Sequence, residues 1–328
     1  MIHITILVPE DAVLASIDDP RMMFAGVNEF LEAQGREPVF KIQLAGLSRE
    51  VKLHHGRFTV HADALLREIP KTDLIFVPAL TGDLKQGLEK NKGLIPWIVE
   101  QYHKGAQVAS LCIGAFLLAA TGLLNGKRCS THWRYADLFR EMFPEVILVD
   151  DRIITEEQRV YSSGGANSYW NLLLYLVEKY TDREMAILAS KIYAVEIDRK
   201  SQSPFIMFNG QKGHEDDDIR KAQEFIEKNV AEKVSVENLA TKFAIGRRSF
   251  EKRFKKATNN TPVEYIQRVK IEAAKRSLET SRKNVTEVMY DVGYFDTKAF
   301  RTVFKKITGL SPIDYRNKYN KGQAVLAL

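Results

Sequence analysis

The stretch AFRTVFKKITGLSPIDY, residues 299–315, repeats the stretch SFEKRFKKATNNTPVEY, residues 249–265, at an offset of 50 positions. Both copies keep two phenylalanines four positions apart, a Lys-Lys pair, and a Pro followed three positions later by Tyr. Apolar residues at this spacing lie on one face of a helix, so each copy predicts a helix with an apolar inner face and a basic outer face. Thr261 and Ser311 each predict the start of a further helix, because Pro comes next and an acidic residue follows three positions after the cap.

A second amphipathic segment precedes each copy, SVENLATKFAI at 235–245 and NVTEVMYDVGY at 284–294. Each pair has the order helix, short turn, basic helix, which is the sequence form of a helix-turn-helix DNA reader. The second turn is predicted to be one residue longer than the first, because 12 positions rather than 11 separate the corresponding apolar residues.

The stretch between the two copies, EYIQRVKIEAAKRSLETS at 264–281, predicts a helix with two apolar stripes. Tyr265, Ile266, Val269 and Ala273 lie on one side, and Ile271 and Leu278 lie on the other. Such a helix can pack between two small bundles and fix their separation.

The charge is unevenly distributed along the 328 residues, whose formal net charge is +6. Residues 217–328 contain 24 Lys and Arg against 14 Asp and Glu, whereas the first 216 residues have more acidic than basic side chains. This asymmetry favours a polyanion as the partner of the C-terminal part.

On these residues, 217–328 resemble the AraC/XylS family of bacterial transcription regulators. The stretches that carry the resemblance are GYFDTKAFRTVFKKITGLSPIDYR at 293–316 and LATKFAIGRRSFEKRFKK at 239–256. The resemblance implies two recognition helices that enter successive major grooves on one face of double-stranded DNA. The resemblance also implies a homodimer that contacts RNA polymerase. Because family members mostly activate transcription, it implies an activator.

Residues that face away from the Phe core are the candidates for base contacts. They are Arg247, Arg248, Glu251 and Lys252 in the first helix and Thr297, Lys298, Arg301 and Thr302 in the second. Arg and Lys suit the acceptors of guanine, and Glu can accept from cytosine. Phosphate contacts are predicted for the lysines near the helix ends, Lys255, Lys256, Lys305 and Lys306.

The first 200 residues alternate strand-like and helix-like segments. The strand-like runs are IHITILV, VFKIQLAG, TDLIFVPAL and AQVASLC, and helical patterns lie between them. Continuous apolar strands separated by helices predict a doubly wound α/β fold with a parallel, flavodoxin-like sheet. The predicted organisation is a sensor domain at 1–198, a linker at 199–216 and an all-α double helix-turn-helix domain at 217–328.

Cys112 lies at a strand-to-helix turn within ASLCIGAFLLAATGLL, residues 109–124, and His132 follows 20 positions later. With GAFLLAATGLLNGKRCSTHW and SSGGANSYWNLLLYLVE, this pattern resembles the class I glutamine amidotransferase-like superfamily. The match is to its PfpI-like branch, as found in sensor domains fused to AraC-type readers. In enzymes of this superfamily the cysteine is the nucleophile and the histidine is the base. The position at a helix N-terminus also predicts a lowered thiol pKa.

Other enzyme features are missing from the sequence. No acid clearly matches the one expected after the first strand, the candidates being Glu10, Asp11, Asp18 and Asp19. The turn Val77-Pro78-Ala79-Leu80 lacks the glycines that present backbone donors to a reaction oxyanion, and Ser110 replaces the first glycine of the nucleophile turn. We therefore expect no catalysis.

The expected alternative is a ligand pocket for a small metabolite, of an amino-acid-like or quaternary amine type, lined by Cys112, Ile113, His132 and Asn167. Simple core packing of Cys112 is an alternative at the residue level. Two other functions stay open: redox sensing through an exposed, low-pKa Cys112 thiol, and a cysteine-dependent hydrolase or glyoxalase-like lyase fused to a DNA-binding domain.

The remaining features exclude several classes. With two cysteines the chain has neither a disulfide framework nor a zinc cluster, so no metal and no cofactor are expected. No apolar run is long enough to span a bilayer and MIHITILVPE lacks signal-peptide features, so a cytoplasmic protein without membrane contact is expected. The predicted function is a sequence-specific transcriptional activator whose partners are DNA and a small-molecule effector.

Overall fold

The computed structural model describes residues 1–320, which form two compact units. The first unit is Met1–Gln202 and the second begins at Ser203. The boundary lies inside the segment 199–216 that the sequence predicts as a linker. The predicted limits of the two domains stay a prediction.

The first unit is built on a mostly parallel sheet of seven strands in the order β10-β11-β7-β6-β1-β2-β5. Its edge strand β10 pairs antiparallel with β11, and the other neighbours are parallel. Two short pairs, β3 with β4 and β8 with β9, lie outside this sheet. The strands of the unit are β1 Ile2–Leu7, β2 Phe40–Gly46, β3 Glu50–Leu53, β4 Phe58–His61, β5 Ala64–Leu65, β6 Leu74–Val77, β7 Gln107–Ser110, β8 Arg128–Cys129, β9 Ile147–Leu148, β10 Ile154–Glu157 and β11 Val160–Ser163.

Helices of the first unit form two groups, α1 with α6 and α7, and α2 with α3 and α4. They are α1 Ala15–Ala33, α2 Leu84–Lys90, α3 Ile95–His103, α4 Ala115–Ala120, α5 Ala136–Met142, α6 Tyr169–Tyr180 and α7 Arg183–Ile192. Strands β6 and β11 are buried at every residue, as expected for a sheet covered on both faces. The predicted doubly wound α/β fold is confirmed.

Two local details differ from the sequence pattern. The stretch LEKNKGLIPWIVEQYHKG at 88–105 has a helical pattern throughout, but the structure divides it into two helices. Helix α2 ends before Asn91, and α3 begins at Ile95 with Pro96 in its first turn. The apolar run after Cys112 predicts a helix from Gly114, but a 3-10 turn at Cys112–Gly114 comes first and α4 begins at Ala115.

The second unit is all-helical, as predicted. Its helices are α8 Asp217–Lys228, α9 Val236–Lys242, α10 Arg247–Thr258, α11 Pro262–Thr280, α12 Val285–Asp291, α13 Thr297–Thr308 and α14 Pro312–Tyr319. Their buried side chains form two separate apolar clusters, one around Phe250 and Phe254 and the other around Phe300 and Phe304.

Helix α11 contributes to both clusters, as its two stripes predict. Tyr265 belongs to the first cluster, and Ile271 and Leu278 belong to the second. Ala273 was assigned to the first stripe by its spacing, but it packs against the second cluster.

The helix caps predicted at Thr261 and Ser311 are confirmed. Thr261 and Asn284 form capping boxes, and the side chains of Ser235 and Ser311 accept from backbone amides three residues later, at 3.1 and 3.2 Å. Among residues 1–320 no helix is long and apolar enough to cross a membrane.

Candidate functional site

Two helix-turn-helix units stand side by side in the sequence of the second unit. Residues 243–246 join α9 to α10, and residues 292–296 join α12 to α13, so the second turn is one residue longer, as predicted. Gly293 has φ +69°, and a Cβ at this position would lie 2.3 Å from the carbonyl oxygen of Ala231. Glycine is therefore required in the second turn by both the backbone conformation and the close approach.

The outer face of α10 carries the first set of predicted base contacts. Arg247, Arg248 and Lys252 are exposed, and Glu251 is half-buried. Arg247 is held by two carboxylates, since it lies 3.2 Å from Glu237 and 3.2 Å from Glu251. Arg248 and Lys252 make no ion pair within the described part of the chain.

The outer face of α13 carries the second set. Thr297, Lys298, Arg301 and Thr302 are all exposed, while the two phenylalanines of this helix are fully buried. Neither Lys298 nor Arg301 forms an ion pair with any residue between 1 and 320. The helix starts at a capped position, because the Asp296 carboxylate accepts from the backbone amide of Ala299 at 2.6 Å.

The predicted phosphate contacts lie in the last turns of α10 and α13. Lys255, Lys256, Lys305 and Lys306 are all exposed. Lys255 donates to the carbonyl of Asn259 at 2.8 Å, where it also favours the negative end of the helix dipole. The assignment of these four lysines to phosphates, and of the eight others to bases, stays a prediction.

Lys270 is a further functional residue that the sequence reasoning missed. It is 7% exposed, and its Nζ donates to carbonyl oxygens of two separate segments. Val230 and Glu232 lie in the loop before α9, at 2.8 and 3.0 Å, while Val292 lies in the turn before α13, at 2.9 Å. Burial lowers the pKa of this amine.

Lys270 links the two helix-turn-helix units through its hydrogen bonds. Its carbonyl partners belong to both, and it extends from the helix that the two clusters share. A sequence signal existed, because Lys270 stands between Val269 and Ile271, where the two apolar stripes of the helix meet. A lysine there is surrounded by buried positions rather than by solvent.

In the first unit, Cys112 keeps the backbone of a nucleophile turn. Its φ is +54°, an unusual value for a residue with a side chain. A Cβ on Gly114 would lie 2.3 Å from the carbonyl oxygen of Val77, so the turn packs directly against the end of β6. The strand-to-helix geometry expected from the sequence is therefore present.

The Cys112 thiol is nevertheless not poised for chemistry. It is 5% exposed, and burial raises its pKa to about 11 although it accepts from the backbone amide of Ala166 at 3.3 Å. The lowered thiol pKa predicted from the helix N-terminus is not found, because desolvation outweighs the helix N-terminus and the amide contact. The exposed thiol that the redox-sensing alternative requires is not present either.

In the turn at 77–80, the backbone amide of Ala79 already has a hydrogen-bond acceptor. The amide of Ala79 donates to the hydroxyl of Ser16 at 3.0 Å, and the Ser16 hydroxyl in turn donates to Val13. Leu80 is fully buried and pairs with Ala12 in an isolated bridge. The loops after β1 and β6 are thus hydrogen-bonded to each other, and the amide of Ala79 is not available to a reaction oxyanion. This supports the expectation of no catalysis at Cys112.

Between residues 1 and 320, none of the four candidate acids forms a hydrogen bond with Cys112. Asp11 pairs with Lys90 at 2.7 Å, Asp18 pairs with Arg21, and the amide of Glu10 donates to Asn91. Asp19 accepts from the Tyr169 hydroxyl at 2.5 Å, and burial raises the pKa of its carboxyl.

Three of the four predicted pocket residues, Cys112, His132 and Asn167, lie at the turn 164–167. His132 packs on Gly165, where a Cβ would lie 2.4 Å from its ring, and Ala166 donates to Cys112. Burial, with a smaller contribution from Arg134, lowers the pKa of His132, and the described residues include no hydrogen bond between it and Cys112. Asn167 is exposed, whereas Ile113 is buried. Their role as a ligand pocket stays a prediction.

Among residues 1–320, no three His, Cys, Asp or Glu side chains are grouped closely enough to hold a metal ion.

The two units define a class of protein in which an α/β domain precedes a duplicated helix-turn-helix. A family model described as DJ-1/PfpI family matches residues 28–179, and a helix-turn-helix domain model matches residues 239–318. The chain thus combines a DJ-1/PfpI domain with an AraC-type helix-turn-helix domain, as its motifs predict.

Two curated proteins similar to this chain are transcriptional regulators. The HTH-type transcriptional regulator GbdR of Pseudomonas aeruginosa is 24% identical over 235 residues, which are 71% of this chain and 64% of GbdR. The regulator ArgR of the same species is 27% identical over 221 residues, 67% of each chain. The alignment with GbdR therefore spans less than two thirds of that protein.

Solved structures agree with the fold. A protein from Vibrio parahaemolyticus described as a transcriptional regulator superposes with a TM-score of 0.52 and 26% identity, over 58% of this chain and 98% of its own. A ThiJ/PfpI family protein from Pseudomonas syringae superposes with a TM-score of 0.50 and 17% identity, over 78% of this chain and 90% of its own.

Proposed function

We propose that the chain is a cytoplasmic, sequence-specific DNA-binding regulator of transcription. The observation that carries the proposal is the pair of reading helices, α10 and α13, each the second helix of a helix-turn-helix and each with an exposed basic face. The relatives GbdR and ArgR are HTH-type transcriptional regulators, which supports the same conclusion.

Base recognition is assigned first to the cations that have no ion-pair partner between residues 1 and 320. Arg248 and Lys252 on α10, and Lys298 and Arg301 on α13, are free to donate to guanine acceptors in the major groove. Arg247 and Glu251 hold each other in the free protein and must exchange this contact for DNA. The two Lys-Lys pairs supply sequence-independent contacts to phosphates.

Control by a small molecule is assigned to the first unit, whose enzyme-like turn is present while the amide of Ala79 donates to Ser16. Cys112, Ile113, His132 and Asn167 are one predicted location for the effector. By resemblance to its family, the protein acts as a homodimer that contacts RNA polymerase and activates transcription.

The test is selection of binding sites by the full chain from duplexes with a random core of roughly 30 base pairs, enough for two grooves one helical turn apart. We expect one enriched sequence with two conserved blocks. Binding should fall steeply with salt, because phosphate contacts release counterions.

A matched pair of double variants makes the test specific. Arg248→Ala with Lys298→Ala should abolish the enrichment, whereas Arg57→Ala with Lys191→Ala, which removes two exposed cations of the first unit, should leave it intact. Equal binding by the two double variants, or no enrichment by the unmodified chain, would overturn the proposed function.

A further inference from the structure

The first unit contains a cavity of about 290 Å³ at the edge of its sheet. It lies between β10, α6 and the segment 197–200. Its wall includes the apolar side chains of Ile154, Leu174 and Ile197. A volume near 300 Å³ is within the range that holds small ligands, and none of the predicted pocket residues around Cys112 lines this cavity.

Six charged side chains also line the cavity, the basic Arg152, Arg199 and Lys200 and the acidic Glu156, Glu178 and Asp198. The acids already have partners. Arg183 pairs with Glu178 at 2.7 Å and with Asp198, and it holds the pKa of the Asp198 carboxyl below its ordinary value. Lys179 lies 2.9 Å from Glu156.

Two of the three basic side chains at the cavity have no acidic partner in the described part of the chain. Arg152 and Lys200 make no ion pair with any residue from 1 to 320. Once the acids are counted with their own partners, the cavity carries an excess of positive charge. A guanidinium and an ammonium together are the groups that bind a carboxylate by charge-assisted hydrogen bonds.

One further polar group lines the wall. Asn171 is 6% exposed, and its Nδ2 donates to the carbonyl of Glu196 at 2.6 Å, which fixes the amide. Its Oδ1 accepts no hydrogen bond from any described residue, so it remains available to an N–H or O–H donor on a ligand.

The wall formed by 197–200 belongs to the segment that leaves the first unit. This segment lies along 150–153, because Ser201 pairs with Arg152 and the amide of Ile153 donates to Lys200. Gln202, the last residue of the unit, is 1% exposed, and its side chain donates to the carbonyls of Thr131 and Asp150 at 2.9 and 2.8 Å. The next residue belongs to the DNA-binding unit.

We propose that this cavity binds a small carboxylate with an apolar body, and that the bound molecule holds the exit segment 197–202 against the first unit. The apolar body packs on Leu174 and Ile197, and the carboxylate is received by Arg152 and Lys200. The proposal deepens the proposed function, on which its regulatory meaning rests, by placing the effector at the chain's route into the DNA-binding unit. A ligand that requires the ordered segment stabilises that arrangement by its binding free energy.

The probes are hexanoate, 4-methylpentanoate and phenylacetate, each compared with its uncharged primary amide. Thermal unfolding of the full chain should shift upward with at least one acid and not with the matching amide. Arg152→Gln and Lys200→Gln should each weaken that acid roughly tenfold or more, because each removes a charged hydrogen bond. Ile197→Trp, which fills the cavity without touching the cations, should remove the shift.

Matched controls are Arg57→Gln and Lys191→Gln, which remove exposed cations of the same unit away from the cavity and should preserve the shift. Limited trypsin digestion gives a second readout, since the exit segment contains two cleavage sites, Arg199 and Lys200. The acid that raises the melting temperature should slow cleavage there in the unmodified chain and not in Arg152→Gln.

The proposal is overturned if no acid shifts unfolding, if acids and amides act alike, or if both cation variants keep full affinity. It is also overturned if Cys112→Ala removes the shift while Arg152→Gln keeps it, since the ligand would then lie at the other location. Site selection with the unliganded chain separates the two proposals. DNA binding without any shift overturns the cavity alone, and a shift without DNA binding overturns the proposed function alone.

Discussion

The two reading helices come from one repeated sequence, yet their charged side chains are held differently. On α10, Arg247 is occupied by Glu237 and Glu251. On α13, Lys298 and Arg301 face outward without an ion pair in the described chain. The first helix must exchange contacts within the protein for contacts with DNA, whereas the second presents its cations directly.

The two helices also differ in how their N-termini are capped. Asp296 caps α13 through its side chain, whereas Gly246 stands at the corresponding position of α10 and offers none. The inner faces, by contrast, are the same, since both bury a Phe pair at identical spacing. The two helix-turn-helix units therefore have the same buried core, but they differ in the outer face and the first turn of the second helix.

The largest effect on stability is expected at Lys270, which lies in the helix between the two copies and donates to carbonyls of both helix-turn-helix units. Lys270→Met keeps the length of the side chain but leaves buried carbonyls of the two helix-turn-helix units without a donor. We expect a loss of about 3 kcal/mol in the free energy of unfolding, since each unsatisfied buried group costs about 1–3 kcal/mol and the groups are not additive. Urea unfolding monitored by circular dichroism measures this loss.

DNA binding distinguishes a residue that fixes the separation of the two helix-turn-helix units from one that only stabilises the fold. A duplex with one base pair inserted between the two contacted blocks should weaken the unmodified chain strongly and Lys270→Met less, because the separation of the readers is no longer fixed. Lys275→Met is the matched control: this buried lysine of α11 donates to Ile206 at 2.6 Å and does not contact the turn before α13. If both variants keep the original spacing preference, Lys270 has no positioning role.

Much of the second unit could be predicted because its determinants are local. Helix caps, the apolar spacing and the longer second turn are fixed within a few residues, and the structure has them where the sequence predicts. Lys270 was missed because its partners Val230 and Val292 are distant in sequence, on either side of α11. Ala273 was misplaced for a related reason: helical spacing gives its angle but not which cluster extends to that side.

The first unit shows the same limit more strongly. The strands and the Cys112 turn follow from apolar runs, but the thiol pKa depends on burial, which no local pattern states. The hydrogen bond from Ala79 to Ser16 closes the candidate donor site across 63 positions of sequence. The cavity wall at 197–200 crosses the predicted boundary at 198, so Arg199 and Lys200 lie in the segment that the sequence predicts as a linker.

The second prediction compares the readers directly. Arg248→Ala and Lys298→Ala should each cost about 1–3 kcal/mol in binding to the selected duplex, and each should relax the preference in one block of the sequence only. Fluorescence anisotropy with duplexes mutated in either block measures both effects. Unchanged affinity in both variants would refute the assignment of these helices to base reading.

A smaller effect tests whether the ion pairs of α10 restrain it. Glu237→Gln removes one carboxylate from Arg247 and should raise DNA affinity a few-fold at low salt, with a steeper decline as salt is added. Glu215→Gln removes the same charge at an exposed position that holds no cation among residues 1–320. Equal gains in the two variants would mean that general charge, rather than release of Arg247, is responsible.

The smallest expected effect concerns the caps, which can be exchanged between the copies. Gly246 has an extended backbone with φ −58° and open space around a Cβ, so Gly246→Ser can cap α10 and should stabilise the chain by roughly 0.5 kcal/mol. Asp296→Gly removes the cap of α13 and should cost about as much or slightly more, because glycine also adds freedom to the unfolded chain. Unfolding without DNA measures both, and the same sign for both variants would show that the caps do not set the difference between the helix starts.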